Sequence, residues 1–142
     1  MSGIQMALMG AGGSAPVTIS ITDQNISDVD ATAAYAYYFL TAGGLVQSST
    51  QSGGSSPTTL ETWCTPTSAA ANYEVLINVT SGAFSGGSGS GSWLALSSTR
   101  SWYVDNTVSG TFNECIFTVE IREIGTTTVL DSATIILFAE VF

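Results

Sequence analysis

Between Tyr73 and Thr80 the chain alternates strictly, with Tyr73, Val75, Ile77 and Val79 on one side and Glu74, Leu76, Asn78 and Thr80 on the other. A two-residue period is that of a pleated strand, and one apolar face against one largely polar face places that strand in a sheet covering a core on one side. The period returns where Cys115, Phe117, Val119 and Ile121 alternate with Ile116, Thr118, Glu120 and Arg122. Near the start, Val17, Ile19 and Ile21 alternate with Thr18, Ser20 and Thr22. No helical period lasts more than a few turns; the Ala-rich stretch Ser68 to Asn72 has room for one turn of helix. Such patterning confines the chain to all-β architectures.

The remaining segments fill in that frame. Thr32 to Thr41 reads as a strand, turned at Ala42-Gly43-Gly44 into a hairpin partner from Leu45 to Ser48, with a Ser/Gly/Pro loop over residues 49–57. Thr59 to Cys64 reads as a further strand ended by Pro66, which has no amide to give a ladder. Asp23 to Asp30 predicts a polar turn, and the run from Ser81 to Ser92, SGAFSGGSGSGS, predicts a flexible exposed loop. Short strands at Ser92 to Leu96 and Ser101 to Val104 carry Trp93 and Trp102, and Glu114 to Glu123 forms a last hairpin with Thr127 to Phe138 around Gly125. About eight strands joined by Gly/Ser turns predict two packed antiparallel sheets, a β-sandwich with either immunoglobulin-like or jelly-roll strand order. At 142 residues there is one domain, here residues 16–142, preceded by an extended apolar arm over residues 1–15.

The side-chain inventory then narrows what such a scaffold can do. The chain has no histidine and no lysine, and Arg100 and Arg122 stand against eleven carboxylates. The commonest general base and the Schiff-base amine are missing, so the expectation is a non-enzymatic protein without a cofactor. A formal charge of -9 argues against nucleic acid, because two arginines cannot neutralise a run of phosphates, and against an anionic membrane surface. Only 9% of residues are charged, leaving a Ser/Thr/Gly surface that repels neighbours weakly. The opening MSGIQMALMGAGG has no basic n-region and its apolar run is broken by Gln5, so no export signal is expected. With no apolar stretch near the roughly 20 residues of a membrane helix, synthesis in the cytoplasm follows as the expectation.

Several residue sets invite a functional reading beside a structural one. Cys64 and Cys115 fit no zinc or redox spacing, and are either two buried small hydrophobes or one disulfide across strands or sheets. Asp23, Asp28 and Asp30, with Asn25, are hard oxygen donors for calcium if they share one loop, and ordinary turn formers otherwise. Trp93, Trp102 and Tyr103, with Trp63, Tyr35 and Tyr37, form a sugar-stacking platform if their rings open to solvent, and core or interface otherwise. Glu120 and Glu123 are an odd number apart on one strand and point to opposite faces, which removes them as a glycosidase pair. Arg100 and Arg122 are expected to pair across strands with carboxylates such as Asp105 or Glu120.

The arm is the expected partner contact. Ile4, Met6, Leu8 and Met9 are apolar in a Gly- and Ser-containing stretch with little intrinsic order, and leaving them in water favours association.

Trp63-Cys64 through Asn72-Tyr73-Glu74-Val75 is followed by Val79-Thr80-Ser81-Gly82, then Gly91-Ser92-Trp93-Leu94-Ala95-Leu96 and Arg100-Ser101-Trp102. Phe117-Thr118-Val119-Glu120-Ile121-Arg122 and Ala133-Thr134-Ile135 complete the series. In order and spacing this resembles small structural proteins of tailed-bacteriophage virions, over about residues 58 to 138, and the N-terminal MSGIQMALMGAGG is similar to the starts of short virion proteins. The resemblance implies a tail, fibre or baseplate component, or a head decoration protein, made in the host cytoplasm and built into the particle. Its partners would be other virion proteins and further copies of itself, with a host surface glycan as a further contact. A carbohydrate-binding module is the expectation from a different functional class, and it rests on the aromatic set.

Overall fold

The computed structural model describes residues 16–30, 34–41, 44–51 and 60–141, in which strands dominate and the only helical element is one short 3-10 helix. In chain order the strands are β1 Thr18–Ile19, β2 Gln24–Asp30, β3 Ala34–Thr41, β4 Gly44–Gln51, β5 Leu60–Glu61 and β6 Cys64–Thr65. They continue with β7 Tyr73–Gly82, β8 Gly86–Gly87, β9 Trp93–Ala95, β10 Arg100–Asn106, β11 Thr111–Glu123 and β12 Val129–Val141. The 3-10 helix Thr67–Asn72 stands where the alanine run allowed one turn.

Two five-stranded sheets carry the fold, ordered β5-β4-β3-β10-β8 and β2-β12-β11-β7-β9, and a small sheet pairs β1 with β6. The hairpin β11–β12 is the longest element, and β11 also pairs with β7 through the alternating segment. Inward positions of both large sheets meet in one core: Leu40, Trp102 and Val104 from one, Val75, Ile77, Phe117, Val119, Ile121, Ile135 and Leu137 from the other. Ile21, Trp63, Cys64 and Ala70 close one end of it. Burial follows the two-residue period closely, since Cys115, Phe117, Val119 and Ile121 are buried while Ile116, Thr118, Glu120 and Arg122 are half-buried on the other face.

The segment from Asp23 to Asp30, expected as a turn, is instead a strand that pairs in parallel with β12, from Gln24 beside Ile135 to Asp30 beside Val141. Ile26, 2% exposed, anchors it in the core, so tertiary pairing overrides the local turn preference of Asp and Asn. This pairing also departs from an all-antiparallel arrangement.

The glycine- and serine-rich run after β7 is likewise no free loop. Phe84 packs edge-on against Phe117 with ring centroids 5.0 Å apart, and β8 pairs with Trp102 and Tyr103 of β10. The Trp102 indole N–H donates to the Gly89 carbonyl at 2.6 Å. Glycine is needed here for contact: a Cβ on Gly86 would meet the Tyr103 ring, and one on Gly87 would sit 2.8 Å from the Trp102 Cα with φ at +146°. Small residues lie flat on β10 where larger ones would be held off.

Candidate interaction surface

The outer face of the β2-β12-β11-β7-β9 sheet divides into two halves of different chemistry. Toward the β11–β12 turn, Arg122 stands directly across from Glu74 in register, and its Nε donates to Glu74 Oε1 at 2.7 Å. The guanidinium continues over β7 to lie 3.7 Å above the centre of the Trp93 ring on β9. Asp23 donates no side chain to this cluster; its Oδ1 accepts the Thr134 amide at 2.8 Å, and its own neighbourhood is a shallow groove of about 180 Å³ shared with Thr118, Glu120, Ser132 and Thr134. This half is mostly polar and internally paired, with Leu76 beside Trp93, and at the turn itself Ile124, Val129 and Leu130 are exposed apolar side chains.

Toward the other end, large apolar side chains enter the outward positions of both strands, alternating with Glu114 on β11 and Glu140 on β12. Ile116 sits beside Ile136 in register, and Phe112, 59% exposed, stacks on Phe138 with ring centroids 5.2 Å apart and planes 27° from parallel. The four side chains form an apolar ridge, with Glu114 and Glu140 half-buried on the same face. Phe112 is exposed and Ile116, Ile136 and Phe138 are half-buried, and apolar side chains left partly in water together are the kind of surface that partners cover. The ridge escaped the sequence reading, although its signal was present: Cys115-Ile116-Phe117 and Ile135-Ile136-Leu137-Phe138 are apolar on both faces, whereas the same strands nearer their shared turn alternate with Thr, Glu, Arg and Ser.

The residues singled out from sequence do not form one site. Trp93 lies on the outer face of one sheet with Arg122 covering one side of its ring. Trp102 is 1% exposed in the core, and Tyr103, the next residue along β10, points to the opposite face. Trp63 is also in the core. The three candidates Trp93, Trp102 and Tyr103 are thus distributed over three environments, and no shared stacking platform exists among them. Tyr35 and Tyr37 lie on β3, and their side chains are outside the described residues.

Asp23, Asp28 and Asp30 do not gather around one point. Asp28 and Asp30 are in β2 beside Ala139 and Val141, while Asp23 is tied to Thr134, seven positions earlier on β12 than Val141. At about 3.3 Å per residue, Asp23 and Asp30 are separated by roughly 23 Å, far beyond what one calcium ion spans. The calcium loop is therefore corrected to a strand and its leading residue.

Cys64 and Cys115 are both buried free thiols, not bonded to each other in this structure. Burial pushes the Cys64 thiol up, and burial together with the nearby Glu114 carboxylate pushes Cys115 up to about 11. The two arginines also differ from expectation. Arg122 takes Glu74 and not Glu120, because Glu74 is its direct cross-strand neighbour. Arg100 and Asp105 are five positions apart on β10 and so face opposite ways; the Arg100 Nε is buried with no hydrogen-bond partner among the described residues. Ile4, Met6, Leu8 and Met9 lie outside the described residues.

No protein-family model matches the chain, and no match was found among curated proteins or solved structures.

Proposed function

We propose that this chain is a non-enzymatic structural component of a tailed-bacteriophage virion, in the tail, fibre or baseplate region, held to a neighbouring subunit by its N-terminal arm. The observation that carries an adhesive role is the cluster of Phe112, Phe138, Ile116 and Ile136 on the outer sheet face, with Phe112 exposed and stacked on Phe138. A side chain as large as Phe112, left 59% exposed beside a second stacked ring, is stabilised by being covered. The resemblance over residues 58 to 138 supplies the virion context, and the acidic, lysine-free composition agrees with partners that are proteins.

The domain in this reading is a two-layer sandwich with immunoglobulin-like order. Supporting it, β11 lies between β12 and β7 in one sheet, β10 lies beside β3 in the other, and β2 runs parallel to β12 at the sheet edge. The β4 strand is then an added hairpin partner to β3.

Deleting residues 1–12 is expected to abolish incorporation into particles while the remaining domain folds with unchanged strand content by circular dichroism. Particles that keep the truncated protein at normal copy number would refute docking by the arm. A head decoration protein would use the same ridge at another location, and gold labelling of intact particles at an exposed turn such as Thr127 separates the two.

A further inference from the structure

We infer that the ridge of one copy receives the N-terminal arm of a second copy, so that subunits join head to tail; this rests on the arm-docking reading above and names the receiving surface and the partner. The first argument is polarity. Walking backward from β2, Gln24 stands beside Ile135, Asp23 is bonded at Thr134, and the Ile21 amide is bonded to Asp131 at 2.9 Å. Thr18 and Ile19 then pair with Thr65 and Cys64, leading toward the 3-10 helix, whose last residue Asn72 is bonded to Ile124 in the β11–β12 turn. The chain therefore leaves the domain at the turn end of the sheet. The ridge is at the opposite end, with Phe138 seven residues along β12 from Asp131, about 23 Å away.

The second argument is reach. Met9 is seven residues from Pro16 and Ile4 is twelve, spans of at most about 25 Å and 42 Å when fully drawn out. To cover its own ridge the arm would have to reverse direction where it leaves the domain, with Met9 close to full extension. A second copy stacked end to end meets the same segment without that reversal.

The third argument is complementarity. Ile4, Met6 and Leu8 recur every second residue, so an extended arm offers all three on one side, matching the two-residue spacing of Ile136 and Phe138. Residues 1–15 contain no charged side chain, whereas Glu114 and Glu140 alternate with the apolar side chains of the ridge. Two ridges packed face to face would bring four carboxylates together; a neutral arm brings none. Donor and acceptor surfaces differ, so the contact is heterologous and extends into rings or open chains.

The test uses the purified full chain in sedimentation velocity across a concentration series. Wild type should form oligomers larger than dimers. Phe112→Asp, an exposed substitution that leaves the core untouched, and deletion of residues 1–12 should each weaken association by roughly tenfold or more. Mixing those two variants is decisive: one retains an arm and the other a ridge, so they should form a one-to-one heterodimer that grows no further. A wild type that stays monomeric throughout, or variants that show no mutual association, would overturn the inference. Because the readout is self-association in solution, it stands or fails separately from incorporation of the protein into particles.

Discussion

The Arg122 guanidinium lies 3.7 Å from the centre of the Trp93 ring, two strands away, while its Nε holds Glu74 at 2.7 Å on the strand between. One cation thereby ties β11, β7 and the short edge strand β9 together on the outer face. With both charged side chains mostly shielded from water, at 22% and 15% exposure, the pair is screened less than an open surface bridge.

Replacing Arg122 with Ala should therefore cost about 1–2 kcal/mol in denaturant unfolding, the combined scale of a shielded ion pair and a cation–π contact. The Trp93 emission should shift to longer wavelength as its covered face opens to water. Unfolding midpoints equal to wild type, with unchanged emission, would show that the three-strand tie contributes nothing.

The glycine strap gives a position-dependent prediction. Gly87→Ala places a Cβ against the Trp102 backbone at a φ of +146°, and is expected to destabilise by about 2–3 kcal/mol or to detach β8 from β10. Gly89→Ala, at a φ of +92° but with open space around it, should cost only about 1 kcal/mol. Thermal unfolding of the two variants side by side measures the difference.

Cys115 predicts an alkaline limb in the stability profile. Its folded pKa is raised from 9.0 to about 11, so the unfolded chain releases the proton first. The stabilising contribution is intact below about pH 9 and declines as pH rises toward 11, at no more than about 1.4 kcal/mol per pH unit for this thiol. Cys115→Val should flatten that limb, read from urea midpoints between pH 8 and 11. At neutral pH both thiols should resist iodoacetamide until the protein is unfolded.

Asp131 accepts the Ile21 amide on one oxygen and the Ser132 amide on the other, each at 2.9 Å. Asp131→Ala should cost about 1–2 kcal/mol and, more tellingly, speed hydrogen exchange at Ile21 and its neighbours while amides in the β11–β12 ladder keep their protection. Uniform acceleration across both regions would instead mark a global loss of stability.

The strands that could be read from sequence were those whose burial is one-sided. Tyr73 to Thr80 and Cys115 to Arg122 declare their faces by alternation, and the structure buries Val75, Ile77, Phe117, Val119 and Ile121 accordingly. Alternation fails to report what lies beyond the strand. The Asp-rich composition of residues 23–30 encodes a turn locally, yet the partner that makes it a strand is more than a hundred residues away. The glycines at 86 and 87 look the same as linker glycines, because close approach to Trp102 and Tyr103 is a property of the fold. Of the candidate surface, only Trp93 stood out in the sequence; the ridge was hidden because residues such as Ile136 and Phe138, flanked by core residues, resemble more core.

The lateral union of β2 with β12 has a consequence for biosynthesis. Residues 24–30 have their ladder partner only at residues 135–141, more than a hundred residues later, so the nascent chain must keep an unmatched edge until those residues have been made. A chain truncated before residue 135 would therefore be left with β2 unpaired and the matching flank of β11 bare, an open template for stray polypeptide, and completion of the sheet becomes a built-in check on chain integrity.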